Sequence, residues 1–203
     1  KVRIYLVGET YDEAFAASRK FCETNGAIYI PPFDDFDIIA GQATVTLEIL
    51  AAQVPDFLFV AIGGGGLAAG AALVLPSSTS LIGVEPAGAP SMQQSLAASE
   101  VLILPEIDRF VDGASVKQVG LKTFSICQKG LSRMLTVSKK DLCQTMLDLY
   151  ALKSMIVEPA GALSVAGLAQ MADEIKGKTV VCVISGGNFD PKRFPEIKSL
   201  ASS

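Results

Sequence analysis

Two glycine-rich segments carry the residue types and spacing most suited to chemistry. The first, Gly63-Gly64-Gly65-Gly66-Leu67, joins an apolar run that ends at Ile62 to a helical pattern. Glycines let successive backbone N–H groups converge, and a helix N-terminus adds positive partial charge, so this junction predicts an anion site suited to a phosphate. It matches neither G-x-G-x-x-G nor the P-loop motif, which disfavours a dinucleotide or a P-loop nucleoside triphosphate. The alternative is a tight turn packed against a neighbour.

The second segment is Ser185-Gly186-Gly187-Asn188, which follows the apolar run Val180–Ile184. Ligands bind at the carboxyl ends of the strands in a parallel sheet, so we expect Ser185 to face the same crevice as the glycine run. A turn that only ends the strand would use the same residue types, and this alternative stays open.

The composition narrows the chemistry further. The chain has no histidine, which excludes Ser-His-Asp and Cys-His nucleophile pairs and histidine-ligated zinc. Its formal net charge is −4 at pH 7 and it has no long basic run, so neither nucleic acid nor a membrane is an expected partner. The cysteines are widely spaced, which indicates inert thiols rather than disulfides or a metal site. They are Cys22, Cys127, Cys143 and Cys182.

The stretch from Phe57 to Leu75 contains no charged residue and approaches the length of a membrane span. Each glycine at its centre would weaken a helix by about 1 kcal/mol relative to alanine, so we expect a buried strand, a loop and a buried helix. The chain begins at Lys1 without a signal-peptide pattern, which predicts a cytoplasmic location. Because its first residue is not methionine, we also expect it to be a piece of a longer protein.

The hydrophobic pattern predicts the scaffold that positions these segments. Short apolar runs alternate with amphipathic stretches, which indicates an α/β fold: a three-layer, open, mostly parallel sheet with helices on both faces. The predicted strands are Val2–Val7, Ala27–Ile30, Phe57–Ile62, Leu81–Val84, Met134–Val137 and Val180–Ile184. The predicted helices are Tyr11–Thr24, Ile38–Gln53, Leu67–Leu75, Ser91–Ala98, Lys140–Tyr150 and Pro159–Lys176.

A domain boundary is predicted between Pro31 and Gly41, where prolines, aspartates and a glycine interrupt the apolar pattern. Residues 1–40 contain too few elements to form a domain alone, so we expect them to be the tail of a smaller domain. Residues 41–203 would then form the larger domain, which holds both glycine-rich segments.

Together with shorter motifs, the two segments resemble the fold-type II pyridoxal-phosphate enzymes, whose fold is tryptophan synthase beta-like. Within that group the chain is similar to the C-terminal half of the catalytic region of the threonine ammonia-lyases. The motifs are Pro32-Phe33-Asp34, Ile39-Ala40-Gly41-Gln42-Ala43-Thr44, Phe110-Val111-Asp112-Gly113-Ala114, Val157-Glu158-Pro159-Ala160-Gly161-Ala162 and Ser185-Gly186-Gly187-Asn188. The ending Phe194-Pro195-Glu196-Ile197-Lys198 favours the biosynthetic form, which feeds isoleucine synthesis.

The resemblance implies pyridoxal 5'-phosphate as the cofactor and gives roles to individual residues. Gly63–Leu67 would bind its phosphate through backbone amides. Ser185 would hydrogen-bond the pyridine nitrogen; a neutral hydroxyl does not favour a protonated ring, which suits elimination of a β-hydroxyl over transamination. Gly113 would lie against the ring, where a side chain would collide. Glu158 would lie at the edge of the substrate site, with an ordinary carboxylate before a helix as the alternative.

The resemblance also implies parts that this chain lacks. In that family the Schiff-base lysine lies in the N-terminal half, so no lysine here is assigned a catalytic role. The missing N-terminal half is therefore an expected partner, and we expect this chain alone to be inactive. Glu85 matches a divalent-cation ligand of serine racemase-like relatives, but Ser91 stands in place of the aspartate, so no metal site is expected.

The reaction implied for the intact enzyme, a homo-oligomer, is the dehydration and deamination of L-threonine to 2-oxobutanoate and ammonia. The sequence does not separate threonine from serine as the small amino-acid substrate. A serine dehydratase, a serine racemase-like enzyme and a non-catalytic fragment that binds a phosphate ligand therefore stay as alternatives.

Overall fold

The computed structural model describes residues 2–8 and 11–202. The chain divides into two units, Lys1–Pro32 and Phe33–Ser203. The first unit contains one helix, α1 (Tyr11–Asn25), followed by a turn in which the Ala27 N–H donates to the Cys22 carbonyl. The predicted boundary between residues 1–40 and 41–203 stays a prediction. The two units are defined by contacts within this chain and do not test the domain limits of a longer protein.

Two predicted strands in the first unit are wrong for this structure. Val2–Val7 and Ala27–Ile30 form no strand pairing, and most of their apolar side chains are exposed, with Leu6 94% and Ile28 90% exposed. A strand becomes stable only when a neighbour accepts its ladder of hydrogen bonds and covers its faces. The apolar pattern there is suited to a sheet, but the described residues of the first unit supply no partner strand.

The second unit is built on a parallel sheet of strands β1 (Phe57–Ala61), β2 (Ser80–Pro86), β3 (Arg133–Val137) and β4 (Val180–Cys182). Their order across the sheet is β3-β2-β1-β4, and every pairing is parallel. The α/β fold class and the parallel sheet predicted from the sequence are confirmed. All four strands end at the same edge of the sheet, so the loops that follow them meet there.

Helices precede, connect and follow these strands. They are α2 (Phe36–Ala52), α3 (Gly66–Val74), α4 (Ser91–Ala98), α5 (Leu121–Gly130), α6 (Lys139–Lys153), α7 (Pro159–Ala166) and α8 (Phe194–Ala201), with 3-10 turns at Gly167–Met171 and Pro191–Arg193. Helices α5 and α8 are present although the sequence patterns did not predict them. The helix predicted over Pro159–Lys176 is also too long. It tightens at Gly167, where a side chain would press against Val84 of the sheet.

The helices cover the sheet in two separate cores, because side chains alternate along each strand. Leu58, Val60 and Ile62 pack with residues of α2, α3, α4 and α5. Phe59 and Ile82 pack instead with residues of α6, α7 and α8. Helices therefore lie on both faces of the sheet, as predicted.

The apolar stretch that approaches the length of a membrane span is divided as expected. Its first part is strand β1, its centre is the glycine loop, and its last part is helix α3. No helix in the described part of the chain is both long and apolar enough to cross a membrane.

Candidate functional site

The glycine run forms the loop between β1 and α3, at the carboxyl edge of the sheet. Gly65 is the N-cap of α3 and has a φ of 93°, a left-handed conformation that side chains rarely adopt. A side chain there would also meet Met92 and Thr123 at about van der Waals contact or closer. Glycine at this position is therefore required both by the backbone conformation and by the neighbours.

The polar groups of this loop divide into satisfied carbonyls and unpaired amides. The Gly64 carbonyl accepts from the Thr123 hydroxyl at 2.7 Å and from the Gly120 N–H at 3.3 Å, and the Gly65 carbonyl accepts from the Ala69 N–H. By contrast, the backbone N–H groups from Gly63 through Ala68 donate to no acceptor among the described residues. Unpaired amides on largely buried backbone are rare without a partner, so this arrangement suits an anion.

A segment before α2 supports the loop from the protein side. The Phe33 ring packs where a side chain at Gly64 would lie, so the loop rests directly on this ring. The neighbouring Asp34 carboxylate accepts the first N–H groups of α5, from Leu121 at 3.1 Å and Lys122 at 2.8 Å. Phe33 and Asp34 thus hold α5, and with it Thr123, against the glycine loop. Thr123 itself was not among the predicted site residues.

Gly113 belongs to the loop Phe110–Ala114, which lies beside the glycine loop. A side chain at Gly63 would press on the Ala114 backbone, and one at Gly113 would lie 3.0 Å from the Ala160 Cβ atom. Phe110 fixes the start of this loop, because the Arg193 guanidinium lies 4.9 Å from its ring centroid and donates to its carbonyl at 3.2 Å. Protein contacts therefore fix the position of Gly113, and its place beside the cofactor ring stays a prediction.

Glu158 and the segment Ser185–Asn188 are in direct contact. The Glu158 N–H donates to the Gly186 carbonyl at 3.2 Å, and its Oε2 accepts from the Asn188 N–H at 3.0 Å. Its Oε1 also lies 3.4 Å from the place where a side chain at Gly113 would begin. Ser185 is exposed, and its hydroxyl makes no hydrogen bond to a described residue. The structure thus brings the predicted residues into one continuous site along the carboxyl edge of β1 and β4.

Glu85, at the end of β2, is used differently from the serine racemase-like cation ligand that it matches. It is buried, and its two carboxylate oxygens accept the Met92 N–H at 2.7 Å and the Gln93 N–H at 2.9 Å, which caps helix α4. Burial raises the pKa of Glu85 to about 7, against the lowering effect of these two hydrogen bonds. The described residues contain no cluster of three or more metal-binding side chains.

All four cysteines are free thiols that are buried or half-buried. Burial raises the pKa of Cys127 to about 12, of Cys143 to about 11 and of Cys182 to about 12. Because the thiolate is the reactive form, these cysteines are poor nucleophiles at neutral pH. The site therefore offers unpaired backbone amides and a hydroxyl, which suit the binding of an anionic group better than thiol chemistry.

Comparison with known families decides which group that is. The family model described as pyridoxal-phosphate dependent enzyme matches residues 2–186. The chain belongs to this family. It is 45% identical to a biosynthetic L-threonine dehydratase of Halalkalibacterium halodurans over 97% of its own length and 49% of that protein. It is 44% identical to the corresponding enzyme of Bacillus subtilis, again over 97% of its own length and 48% of that protein. The chain thus spans about half the length of these curated relatives.

Solved structures of the family agree with the fold. The processed form of threonine deaminase isoform 2 from Solanum lycopersicum superposes with a TM-score of 0.91 at 36% identity, over 98% of this chain and 56% of that one. Maize serine racemase superposes with a TM-score of 0.84 at 28% identity, over 97% of this chain and 63% of that one. Family members that act on different amino acids therefore share this architecture.

Pyridoxal phosphate is the cofactor of this family, and the residues at the strand ends fit it. Its phosphate needs several N–H donors, and the amides from Gly63 through Ala68 have no acceptor among the described residues. Its ring nitrogen needs one polar partner, and the exposed Ser185 hydroxyl is uncommitted within the described chain. Gly113 and Gly186 leave room for the Glu158 carboxylate, because a side chain at Gly186 would overlap it and one at Gly113 would begin 3.4 Å from its Oε1.

Proposed function

We propose that this chain is the cofactor-binding part of a pyridoxal-phosphate-dependent threonine ammonia-lyase of the biosynthetic, isoleucine-forming type. The intact enzyme would convert L-threonine to 2-oxobutanoate and ammonia. The observation that carries the proposal is the run of unpaired amides from Gly63 through Ala68, next to the Ser185 segment. The similarity to biosynthetic L-threonine dehydratases over 97% of the chain supports the choice of threonine.

Each residue of the site has a physical task in this proposal. The amides of Gly63–Leu67 bind the cofactor phosphate, helped by the positive end of the α3 dipole. The Ser185 hydroxyl hydrogen-bonds the pyridine nitrogen without adding a charge that would favour its protonation. Gly113 leaves room for the ring. Bound there, the cofactor supplies an electron sink for the bonds around the α-carbon of the amino acid.

The amine that holds the cofactor covalently would come from the half of the enzyme outside this chain. Two lysines lie near the site, and both are engaged. Lys139 forms an ion pair with Asp108 at 2.5 Å, and Lys122 donates to the Asp34 carbonyl at 3.3 Å and pairs with Asp35 at 3.8 Å. The chain alone is therefore expected to bind the cofactor without catalysing the reaction.

The alternatives keep some support. A serine dehydratase or a serine racemase-like enzyme would use the same cofactor site, and maize serine racemase shares the fold at 28% identity. A non-catalytic fragment would also bind a phosphate ligand at the glycine loop. The cytoplasmic location and the homo-oligomeric state predicted for the intact enzyme stay predictions.

Complementation tests the proposal directly. The purified chain is mixed with the part of the Bacillus subtilis relative that it does not cover, then supplied with pyridoxal phosphate and either L-threonine or L-serine. We expect 2-oxobutanoate from the mixture and none from either part alone. Pyruvate from serine at a higher rate than 2-oxobutanoate from threonine would favour the serine alternative. A mixture that assembles and binds the cofactor but acts on neither amino acid would favour the non-catalytic one.

Two Ser185 variants in the active mixture test the role of the hydroxyl. Ser185→Ala removes a hydrogen bond to a buried acceptor, which costs about 1–3 kcal/mol and should lower cofactor affinity or rate by one to two decades. Ser185→Asp places a negative charge by the nitrogen and raises its pKa, so racemisation and transamination should increase relative to dehydration. Product ratios measured for both variants check this. Identical ratios in parent, Ala and Asp forms would mean that Ser185 only ends a strand.

A further inference from the structure

Both the backbone N–H and the side-chain carboxylate of Glu158 form hydrogen bonds with the serine segment, defined as Ser185–Asn188. Its main-chain N–H donates to the Gly186 carbonyl at 3.2 Å, and its Oε2 accepts from the Asn188 N–H at 3.0 Å. Among the described residues, these are the hydrogen bonds that join Ser185–Asn188 to another element. The last sheet bond before the segment is the one from the Val183 N–H to the Phe59 carbonyl at 3.0 Å.

The backbone around Gly161 and the Glu158 side chain also pack closely against the serine segment. A side chain at Gly186 would overlap the Glu158 carboxylate, and a side chain at Gly161 would overlap the Gly186 carbonyl. The same carboxylate lies 3.4 Å from the place where a side chain at Gly113 would begin. The Glu158 side chain therefore fills the space between the serine segment and the loop that carries Gly113.

This packing leaves the carboxylate little freedom to serve a ligand. Oε2 is committed to the Asn188 N–H, while Oε1 lies against the Gly186 backbone. Glu158 is also only half-buried and makes no capping bond to its own helix α7. The Glu158 side chain thus accepts a hydrogen bond from the serine segment and none that caps helix α7.

From these contacts, and resting on the proposed function, we propose that Glu158 is a positioning residue for Ser185. It holds the segment Ser185–Asn188 in place, so that the hydroxyl would stay available to hydrogen-bond the cofactor nitrogen. In this role Glu158 acts on the segment Ser185–Asn188, and the substrate role expected from the sequence motif stays a prediction. Loss of Glu158 should therefore resemble loss of Ser185, and it should affect binding of the cofactor ring but not of its phosphate.

The first test needs no ligand. Amide hydrogen exchange at Asn188 is measured in the 203-residue chain for the parent, Glu158→Ala and Glu158→Gln. We expect exchange about 10-fold faster in the Ala form, because its acceptor is gone, and near-parent exchange in the Gln form, whose amide oxygen still accepts. Asp141→Ala is the matched control, since Asp141 is also a carboxylate at the start of a helix and accepts from Ser138. It should leave Asn188 unchanged.

The second test compares pyridoxal phosphate with inorganic phosphate as probes. Glu158→Ala should weaken pyridoxal phosphate about 10-fold and leave phosphate affinity unchanged, because phosphate contacts only the glycine loop. The double variant with Ser185→Ala should bind the cofactor no more weakly than Ser185→Ala alone. Additive losses, or unchanged exchange at Asn188, would overturn the proposal. A parent chain that binds neither probe would contradict the proposed function instead, while the exchange result would still decide whether Glu158 holds the segment.

Discussion

Helices α3 and α4 begin at the ends of neighbouring parallel strands, yet their first turns are satisfied in opposite ways. At α4 the buried Glu85 carboxylate accepts the N–H groups of Met92 and Gln93. At α3 the amides from Gly63 through Ala68 have no acceptor within the described chain. One helix N-terminus is capped by a carboxyl group of this chain, and the other leaves its first amides without an acceptor in the described chain, as the proposed phosphate site requires.

The difference comes from the residues that precede each helix. Before α4, the chain keeps a carboxylate at the end of β2 and buries it. Before α3, it has only glycines, whose carbonyls are turned towards Thr123 and Ala69 so that the amides stay unpaired. If the proposed function is right, the same fold makes a structural cap at one junction and a phosphate site at the other, depending on whether a side chain or a bare backbone fills the junction.

Giving α3 an anion of its own should abolish this difference and have the largest effect. Gly65→Asp places a carboxylate among the loop amides, where it repels a phosphate and occupies its donors. We expect at least a 1,000-fold loss of phosphate and pyridoxal phosphate affinity, measured by calorimetric titration. Gly65→Ala is the control. It shares the left-handed strain, about 1–2 kcal/mol of stability, without the charge. Equal phosphate binding by the Asp and Ala forms would show that the loop is only a turn.

The Glu85 cap of α4 should make the free energy of unfolding depend on pH. Because the pKa of Glu85 is raised to about 7 in the folded chain, the fold favours the protonated acid relative to the unfolded chain, in which the usual value of 4.5 applies. Stability from this group is fully present below pH 4.5 and is lost as the pH rises through 7. Cys127 lies close enough to interact, but its pKa of about 12 keeps it neutral over this range.

We therefore expect Glu85→Gln, which cannot titrate, to differ from the parent in pH dependence. Urea unfolding at pH 4.5 and pH 8 measures both free energies of unfolding. The parent should lose on the order of 3 kcal/mol more than the variant between these values. The Gln form should be the less stable one at low pH, because its amide nitrogen cannot accept the second helix N–H. Parallel pH curves for the two forms would contradict this account of the cap.

Sequence patterns were sufficient for the parts of the site that depend on local signals. The apolar runs at Phe57–Ile62 and Val180–Ile184, with glycines after them, predict two strands, which the structure has at Phe57–Ala61 and Val180–Cys182, and therefore where Gly63 and Ser185 lie. Helix α5 has no such signal. Its first amides are satisfied by Asp34, which precedes Leu121 by 87 residues, so no local pattern indicates that it begins there. Thr123 was missed for the same reason, since its partner Gly64 is 59 residues away.

The limits of local signals also appear in the first unit. Val2–Val7 has the composition of a strand but forms none, because strand formation needs a neighbour that the apolar pattern cannot supply.

Glu158, in the second unit, is a case in which the contact partner could not be predicted. Its motif suggested a ligand contact, while its hydrogen bond to Asn188 depends on a loop that lies 30 residues further along the chain. Residue type was predictable in both cases, and the contacts that define its role were not.

The smallest expected effect tests whether α5 contributes to the difference between α3 and α4. Thr123→Val keeps the shape of a buried side chain but removes the hydroxyl that donates to the Gly64 carbonyl at 2.7 Å. The Gly120 N–H, at 3.3 Å, would be the remaining donor to that carbonyl. We expect about 1 kcal/mol less stability, and about 3-fold weaker phosphate binding because the loop can then turn its amides away from the anion.

Thr145→Val is the matched control for this last variant. Its hydroxyl donates to the Asp141 carbonyl at 2.8 Å on the exposed face of α6, so it removes the same kind of bond away from the loop. It should leave phosphate affinity at the parent value. If Thr123→Val lowers stability but leaves phosphate binding unchanged, the amides are held by Gly65 and Phe33 alone. A loss of affinity limited to Thr123→Val would instead mean that α5 is part of the phosphate site, through a carbonyl that never touches the ligand.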